Sequence, residues 1–178
     1  MMNCIFHRMK GGVDLSLTKT VTLRKPRLED GANIWRLIRN TDVLDLNSAY
    51  YYLIISKYFR NTCVVAEEDD QIVGFVSAFR HPENPEVIFV WQVAVDQSQR
   101  GKGLASSLLQ ELISREECTN IKYIETTISP SNKASKALFH KLANTLGTQM
   151  KESVQISPDV FPNESHETEQ TYQIGPIR

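Results

Sequence analysis

At 178 residues the chain suits one domain with a single sizeable core, and its 41% hydrophobic content is ordinary for a soluble globular protein. The 20 basic and 21 acidic side chains nearly cancel, which excludes a general nucleic-acid-binding face, and no apolar run reaches the roughly eighteen residues of a membrane span. Three widely spaced cysteines, Cys4, Cys63 and Cys118, without a C-x-x-C pair or adjacent histidines, argue against a zinc site and for a reducing compartment, so a cytoplasmic location is expected.

Residues 1–19 are broken by Gly11-Gly12, show no clear period, and are expected to form a mobile extension before a single domain over 20–178. The first strand is Val21 to Lys25, stopped by Pro26. Glu29 and Asp30 then open a helix whose buried face is Ile34, Trp35, Leu37 and Ile38. A second helix follows, capped by Asn47 or Ser48, and its consecutive Tyr50, Tyr51 and Tyr52 must point in three directions about 100° apart. Thr62 to Glu67 and Ile72 to Phe79 form a hairpin around Glu68-Asp69-Asp70-Gln71, with Gly74 marking a bulge or a close backbone approach. His81 to Glu86 is a loop bounded by prolines.

Val87 to Leu109, VIFVWQVAVDQSQRGKGLASSLL, organises the rest. A strand over Val87 to Val95 turns through Asp96 to Gly103 into an apolar helix, with two glycines at the handover. Glycine lets the backbone tighten so that its N–H groups converge on an anion, and the helix adds unpaired N–H groups and the positive end of its dipole. This is a phosphate cradle suited to a pyrophosphate. Ile121 to Ile128 is a further strand, followed by a helix from Lys133 to Leu146 that is capped by Ser131 or Asn132 and ended by Gly147. Strands over Thr148 to Ile156 and Gln170 to Ile174 flank a polar segment, Ser157 to Glu169.

The cradle does not fit the dinucleotide pattern G-x-G-x-x-G, because Ser106 stands where the third glycine belongs, and it lacks the G-K-[ST] ending of a P-loop. Arg100-Gly101-Lys102-Gly103-Leu104-Ala105 instead resembles the Q/R-x-x-G-x-G/A signature of the GNAT superfamily of acetyl-CoA-dependent N-acyltransferases. That resemblance implies an α/β (α+β) GNAT fold: a mixed, twisted sheet of about seven strands with helices on both faces, splayed between the fourth and fifth strands. The pantetheine arm of acetyl-CoA would enter the split and pair with the backbone of Val93 and Val95 as an added strand does. The expected cofactor set is Val93, Val95, Arg100, Gly101, Lys102, Gly103, Ala105, Ser106, Asn132 and Ser135, with no metal. Many members place a tyrosine in the fourth helix to protonate the leaving thiolate; here that position is Phe139, so the role is unfilled, moves elsewhere or falls to solvent.

The segments LRKPRLEDGANIWRLI, LDLNSAYYYLI, FRHPENPEVIFVWQVAVDQSQRGKGLA and ISPSNKAS are also similar to the diaminobutyrate acetyltransferases within that superfamily, from about Thr20 to Ile174. The resemblance implies acetylation of the γ-amine of L-2,4-diaminobutyrate in ectoine synthesis, by a homodimer. Such a substrate carries two ammonium groups and one carboxylate, and an ammonium of pKa about 10.4 must lose a proton before it can attack. Asp45 and Glu169 are the expected acidic partners, Tyr50 and Trp91 the aromatic enclosure, and His166 a helper for the carboxylate or the proton. Asp45, Glu169 and His166 are the candidates for proton transfer. For Trp91, packing beneath a helix is an equal alternative. A GNAT acting on a polyamine or an aminoglycoside, and a non-catalytic acyl-CoA-binding module, remain rival readings.

Overall fold

The computed structural model describes residues 20–41, 44–162 and 167–177; the extension expected over 1–19 lies outside them. The elements are β1 (Thr22–Arg24), α1 (Gly31–Arg39), α2 (Ala49–Tyr58), β2 (Val64–Glu68), β3 (Gln71–Arg80), β4 (Val87–Val95), α3 (Leu104–Ser114), β5 (Tyr123–Ile128), α4 (Lys133–Thr145), β6 (Gln149–Ile156) and β7 (Glu169–Gly175). The strands form one sheet in the order β1-β2-β3-β4-β5-β7-β6, antiparallel except for the parallel β4–β5 pair. Among the described residues no helix is long and apolar enough to cross a membrane.

Each face of the sheet carries its own core. On one face Ile34, Leu37 and Ile38 of α1 and Tyr52 and Ile55 of α2 pack on Val65, Phe75 and Ala94. On the other, Leu104, Leu108, Leu109 and Leu112 of α3 join Phe139 and Leu142 of α4 over Val64, Val76, Val90 and Ile124. The leucines of α3 recur at helical spacing, so one stripe of that helix leaves water, each side chain contributing about 2 kcal/mol. Phe139 is part of this core rather than a group at the surface of the split.

Several boundaries are sharper than the sequence reading. A 3-10 turn over Leu28–Asp30 precedes α1, and Asp30 binds the Arg24 guanidinium at 2.6 and 2.9 Å instead of capping the helix with its side chain. Ser48 caps α2, accepting the Tyr51 N–H at 3.2 Å, and Asn132 caps α4 through Ser135 N–H at 3.0 Å. Gly74 combines both expected roles: the β2–β3 register shifts beside it, and a Cβ there would come within 2.9 Å of Leu108 Cδ1. Glu169, read as the end of a polar segment, is the first residue of β7, opposite Ile156.

Candidate functional site

The parallel pairing of β4 with β5 runs only over Val87↔Tyr123, Ile88↔Ile124 and Phe89↔Glu125. Beyond that, β5 continues along β7 to Ile128 while β4 continues along β3 to Val95, so the two strands part. The register between β3 and β4 passes from Ser77↔Gln92 to Ala78↔Val90, leaving Trp91 as an extra residue in β4. Such a bulge bends its strand and raises the local twist, which opens the split. Asp96 N–H donates to Val73 O at 2.8 Å, and the alternation of an antiparallel ladder then turns the N–H and C=O groups of Val93 and Val95 away from β3, into the gap. Arg100 Nε donates to the Val95 carbonyl at 3.4 Å.

The loop after β4 is built for an anion. Asp96 Oδ1 accepts from Ser98 N at 2.9 Å and from Ser98 Oγ at 2.7 Å, and these bonds hold its carboxyl below the usual range. Gly101 and Gly103 follow with φ of +77° and +83°, a left-handed conformation that side chains resist, and a Cβ at either would meet nothing within 4 Å. The space in front of both glycines is therefore open. Ser107 N–H already takes the Gly103 carbonyl at 3.1 Å, whereas the N–H groups of Leu104, Ala105 and Ser106 have no intrahelical acceptor, because they lie in the first turn. Lys102 Nζ donates to Gln99 Oε1 at 3.2 Å, and Gln99 Nε2 to Glu68 Oε2 at 2.9 Å, which ties the loop to the β2–β3 hairpin. Clefts of about 600 and 650 Å³ flank the loop, one against Asn40 and Thr41, the other against Val21 and Ser107. Asn132 and Ser135 sit at the start of α4, the helix that follows the other strand of the split. Open glycines, helix N–H groups without intrahelical acceptors, two cations and strand backbone turned into the split suit the diphosphate and pantetheine of coenzyme A.

On the α1/α2 side the split has an aromatic wall. Trp91 is 47% exposed, so it is not a core residue, and it meets Tyr51 edge-on with ring centroids 4.9 Å apart. Phe79 backs it at 6.2 Å. The three tyrosines of α2 do diverge: Tyr50 is 68% exposed, Tyr51 half-buried and Tyr52 fully buried. Burial pushes the Tyr51 hydroxyl up, and it faces Ser77 without either hydroxyl completing a hydrogen bond. Asp45 is exposed in the loop before α2, and its backbone carbonyl accepts Gln92 Nε2 at 2.9 Å. Glu169 precedes Gln170, the partner of Ile128, so it lies beside the end of β5, on the opposite wall from Trp91. Its neighbour Glu167 accepts the Ser131 N–H at 3.1 Å. His166 lies outside the described residues.

The structure thus brings Asp45, Trp91, Val93 and Val95 to one side of the split and Glu169 to the other. Tyr50 is exposed in the first turn of α2. Sequence reasoning missed Tyr51 as the tyrosine in contact with Trp91, and Gln92 as the anchor of the Asp45 loop. For Gln92 there was a signal: an amide in the central run VWQVAV needs buried partners. Cys63 offers no competing nucleophile, since burial pushes its thiol up to about 12.

The acetyltransferase (GNAT) family model matches residues 32–143. The chain is 56% identical to the L-2,4-diaminobutyric acid acetyltransferase of Halalkalibacterium halodurans over 91% of its length and 85% of the relative's. It is 52% identical to the enzyme of the same name from Marinococcus halophilus, covering 89% of this chain and 91% of that one. Among solved structures it resembles diaminobutyrate acetyltransferase EctA from Paenibacillus lautus, in complex with its substrate L-2,4-diaminobutyric acid and coenzyme A. The TM-score is 0.86 at 45% identity, covering 89% of this chain and 96% of that one. Ard1 from Thermoplasma volcanium, 16% identical with a TM-score of 0.71 over 89% of this chain and 99% of that one, shares the fold.

Proposed function

This chain belongs to the acetyltransferase (GNAT) family and, within it, to the L-2,4-diaminobutyric acid acetyltransferases, and on that footing we propose the following reaction and site. The protein transfers the acetyl group of acetyl-CoA to the γ-amine of L-2,4-diaminobutyrate, giving N-γ-acetyl-diaminobutyrate and coenzyme A, a step of ectoine biosynthesis. The observation that carries this is the match, at 45% identity and TM-score 0.86, to an enzyme held with diaminobutyric acid and coenzyme A.

The reaction proceeds by direct attack. The diphosphate rests on Gly101, Gly103 and the N–H groups of Ala105 and Ser106, with Arg100 and Lys102 supplying positive charge. Asn132 and Ser135 border the other side. The pantetheine arm lies along Val93 and Val95, which sets the thioester carbonyl near the Val93 N–H, a donor for the oxyanion. Asp45 and Glu169 hold the two ammonium groups from opposite walls, and Trp91 and Tyr50 enclose the substrate. A carboxylate of this pair, or His166, takes the proton that the γ-ammonium must lose. The neutral nitrogen attacks the carbonyl carbon, the C–N bond forms, the C–S bond breaks, and the thiolate leaves with a proton. Phe139 is buried in the α3/α4 core and contributes no proton.

Mass spectrometry of the product made from diaminobutyrate and acetyl-CoA, with the acetyl position assigned by NMR, tests the reading. Acetylation on the α-nitrogen, or equal turnover of ornithine, lysine or spermidine, would refute it.

The finer reading is a cytoplasmic homodimer. Edge strand β6 supports the dimer, because it carries Val154, 71% exposed, and the turn that follows it carries Val160, 70% exposed, and exposed apolar groups at a sheet edge are normally covered. Sedimentation that finds a monomeric wild type would dismiss it.

A further inference from the structure

Gln92 is 4% exposed in the middle of β4, and both ends of its amide are engaged. Nε2 donates to the Asp45 carbonyl at 2.9 Å, and Oε1 accepts the Tyr52 hydroxyl at 3.3 Å. That hydroxyl, on a fully buried ring, in turn accepts the Asn47 N–H at 3.3 Å. Two backbone groups of the loop before α2 are therefore referred to a single side chain in the central strand. The polarity is fixed: only an amide offers a donor to Asp45 and an acceptor to Tyr52, so glutamate or an apolar residue would break one or both bonds. A buried polar network of this kind is no more stabilising than an apolar core of the same shape, and its ordinary effect is to select one geometry.

We propose that Gln92 and Tyr52 are positioning residues for the acceptor site: they fix the loop that carries Asp45 against Trp91, the neighbour of Gln92 in β4. The inference rests on the reading that Asp45 takes an ammonium of the acceptor. Neither residue touches the substrate. Their effect is on where the carboxylate stands, so it falls on the amine and not on the diphosphate of coenzyme A, whose cradle begins at Arg100, eight residues further on.

The test uses Tyr52→Phe, which removes one oxygen, and Gln92→Met, which keeps the size of the side chain. In both, KM for diaminobutyrate rises by roughly 5- to 30-fold, the effect expected of a lost buried hydrogen bond, while KM for acetyl-CoA stays within about twofold. Amide hydrogen exchange at Asn47 in the ligand-free protein quickens by about tenfold or more in each variant. The double variant is little worse than Gln92→Met alone, since both changes cut one chain. An equal rise in both KM values, an unchanged KM for diaminobutyrate, or unaltered exchange at Asn47 would each overturn the proposal. Absence of acetyl transfer to diaminobutyrate by the wild type would instead refute the proposed reaction; the exchange rates would still decide whether the clamp exists.

Discussion

Tyr51 and Trp91 meet edge-on within one wall of the split, their ring centroids 4.9 Å apart and their planes inclined at 61°. The contact joins α2 to the bulge of β4 and leaves Trp91 47% exposed. An open indole face attracts cations, most strongly where water is excluded.

Trp91→Ala should therefore raise KM for diaminobutyrate by about 5- to 30-fold, the equivalent of roughly 1–2 kcal/mol of cation–π contact. Trp91→Phe should recover most of the loss. Steady-state kinetics supply the comparison, with coenzyme A affinity measured by calorimetry and expected to stay constant. Equal kinetics for all three proteins would make the indole a packing residue only.

Asp45→Asn and Glu169→Gln each remove one negative charge from opposite walls of the split. Each should lower kcat/KM for diaminobutyrate by roughly 10- to 100-fold, the scale of a charge-assisted hydrogen bond, with acetyl-CoA binding intact. A variant that turns over as fast as the wild type takes its residue out of the site.

Gly103 and Gly147 share a left-handed backbone, φ +83° and +65°, and neither would bring a Cβ within 4 Å of another group. Substituting alanine at either should cost about 1 kcal/mol through backbone strain alone. Gly147 merely ends α4, so Gly147→Ala should lower Tm without affecting coenzyme A. Gly103→Ala should lower Tm similarly and also weaken coenzyme A by about tenfold, because the new methyl group occupies the cradle. Equal affinities in the two variants would place the diphosphate elsewhere.

Acid sensitivity should centre on Arg24, which bridges Asp30 and Glu67. Burial alone would push the Asp30 carboxyl up, but hydrogen bonds from the Arg24 guanidinium and the Arg27 N–H outweigh it and hold the group below its ordinary value. The folded state thus binds this proton less readily than the unfolded chain. Its stabilisation is fully present above the unfolded pKa of about 3.9 and fades as pH falls through the lower folded value. Asp30→Asn should lose about 2 kcal/mol at pH 7 and show a shallower loss of Tm below about pH 4 than the wild type. Calorimetric melts across that range give the comparison; parallel curves would contradict the assignment.

Much of the architecture was legible because its causes are local. The apolar spacing in α3 and α4, the caps Ser48 and Asn132, and the end of α4 at Gly147 depend on residues within a turn or two of one another. Trp91 was harder. Its place in an alternating strand allowed burial or exposure equally, and the choice was made by an extra residue relative to β3, which is a property of two strands and not of one. Asp30 shows the same limit: its position at the start of α1 suggested a dipole partner, yet Arg24, in β1, claims its carboxylate.

The sequence by itself determined the order of the elements and the phosphate cradle, since helical period and the handedness of glycine are settled between near neighbours in the chain. Only the tertiary structure decided which of three tyrosines meets Trp91, where β4 leaves β5, and that Gln92 holds the Asp45 loop. Those outcomes depend on strand register and on packing between α2 and β4, about forty residues apart, and such pairings take shape only when the two faces of the sheet are covered together.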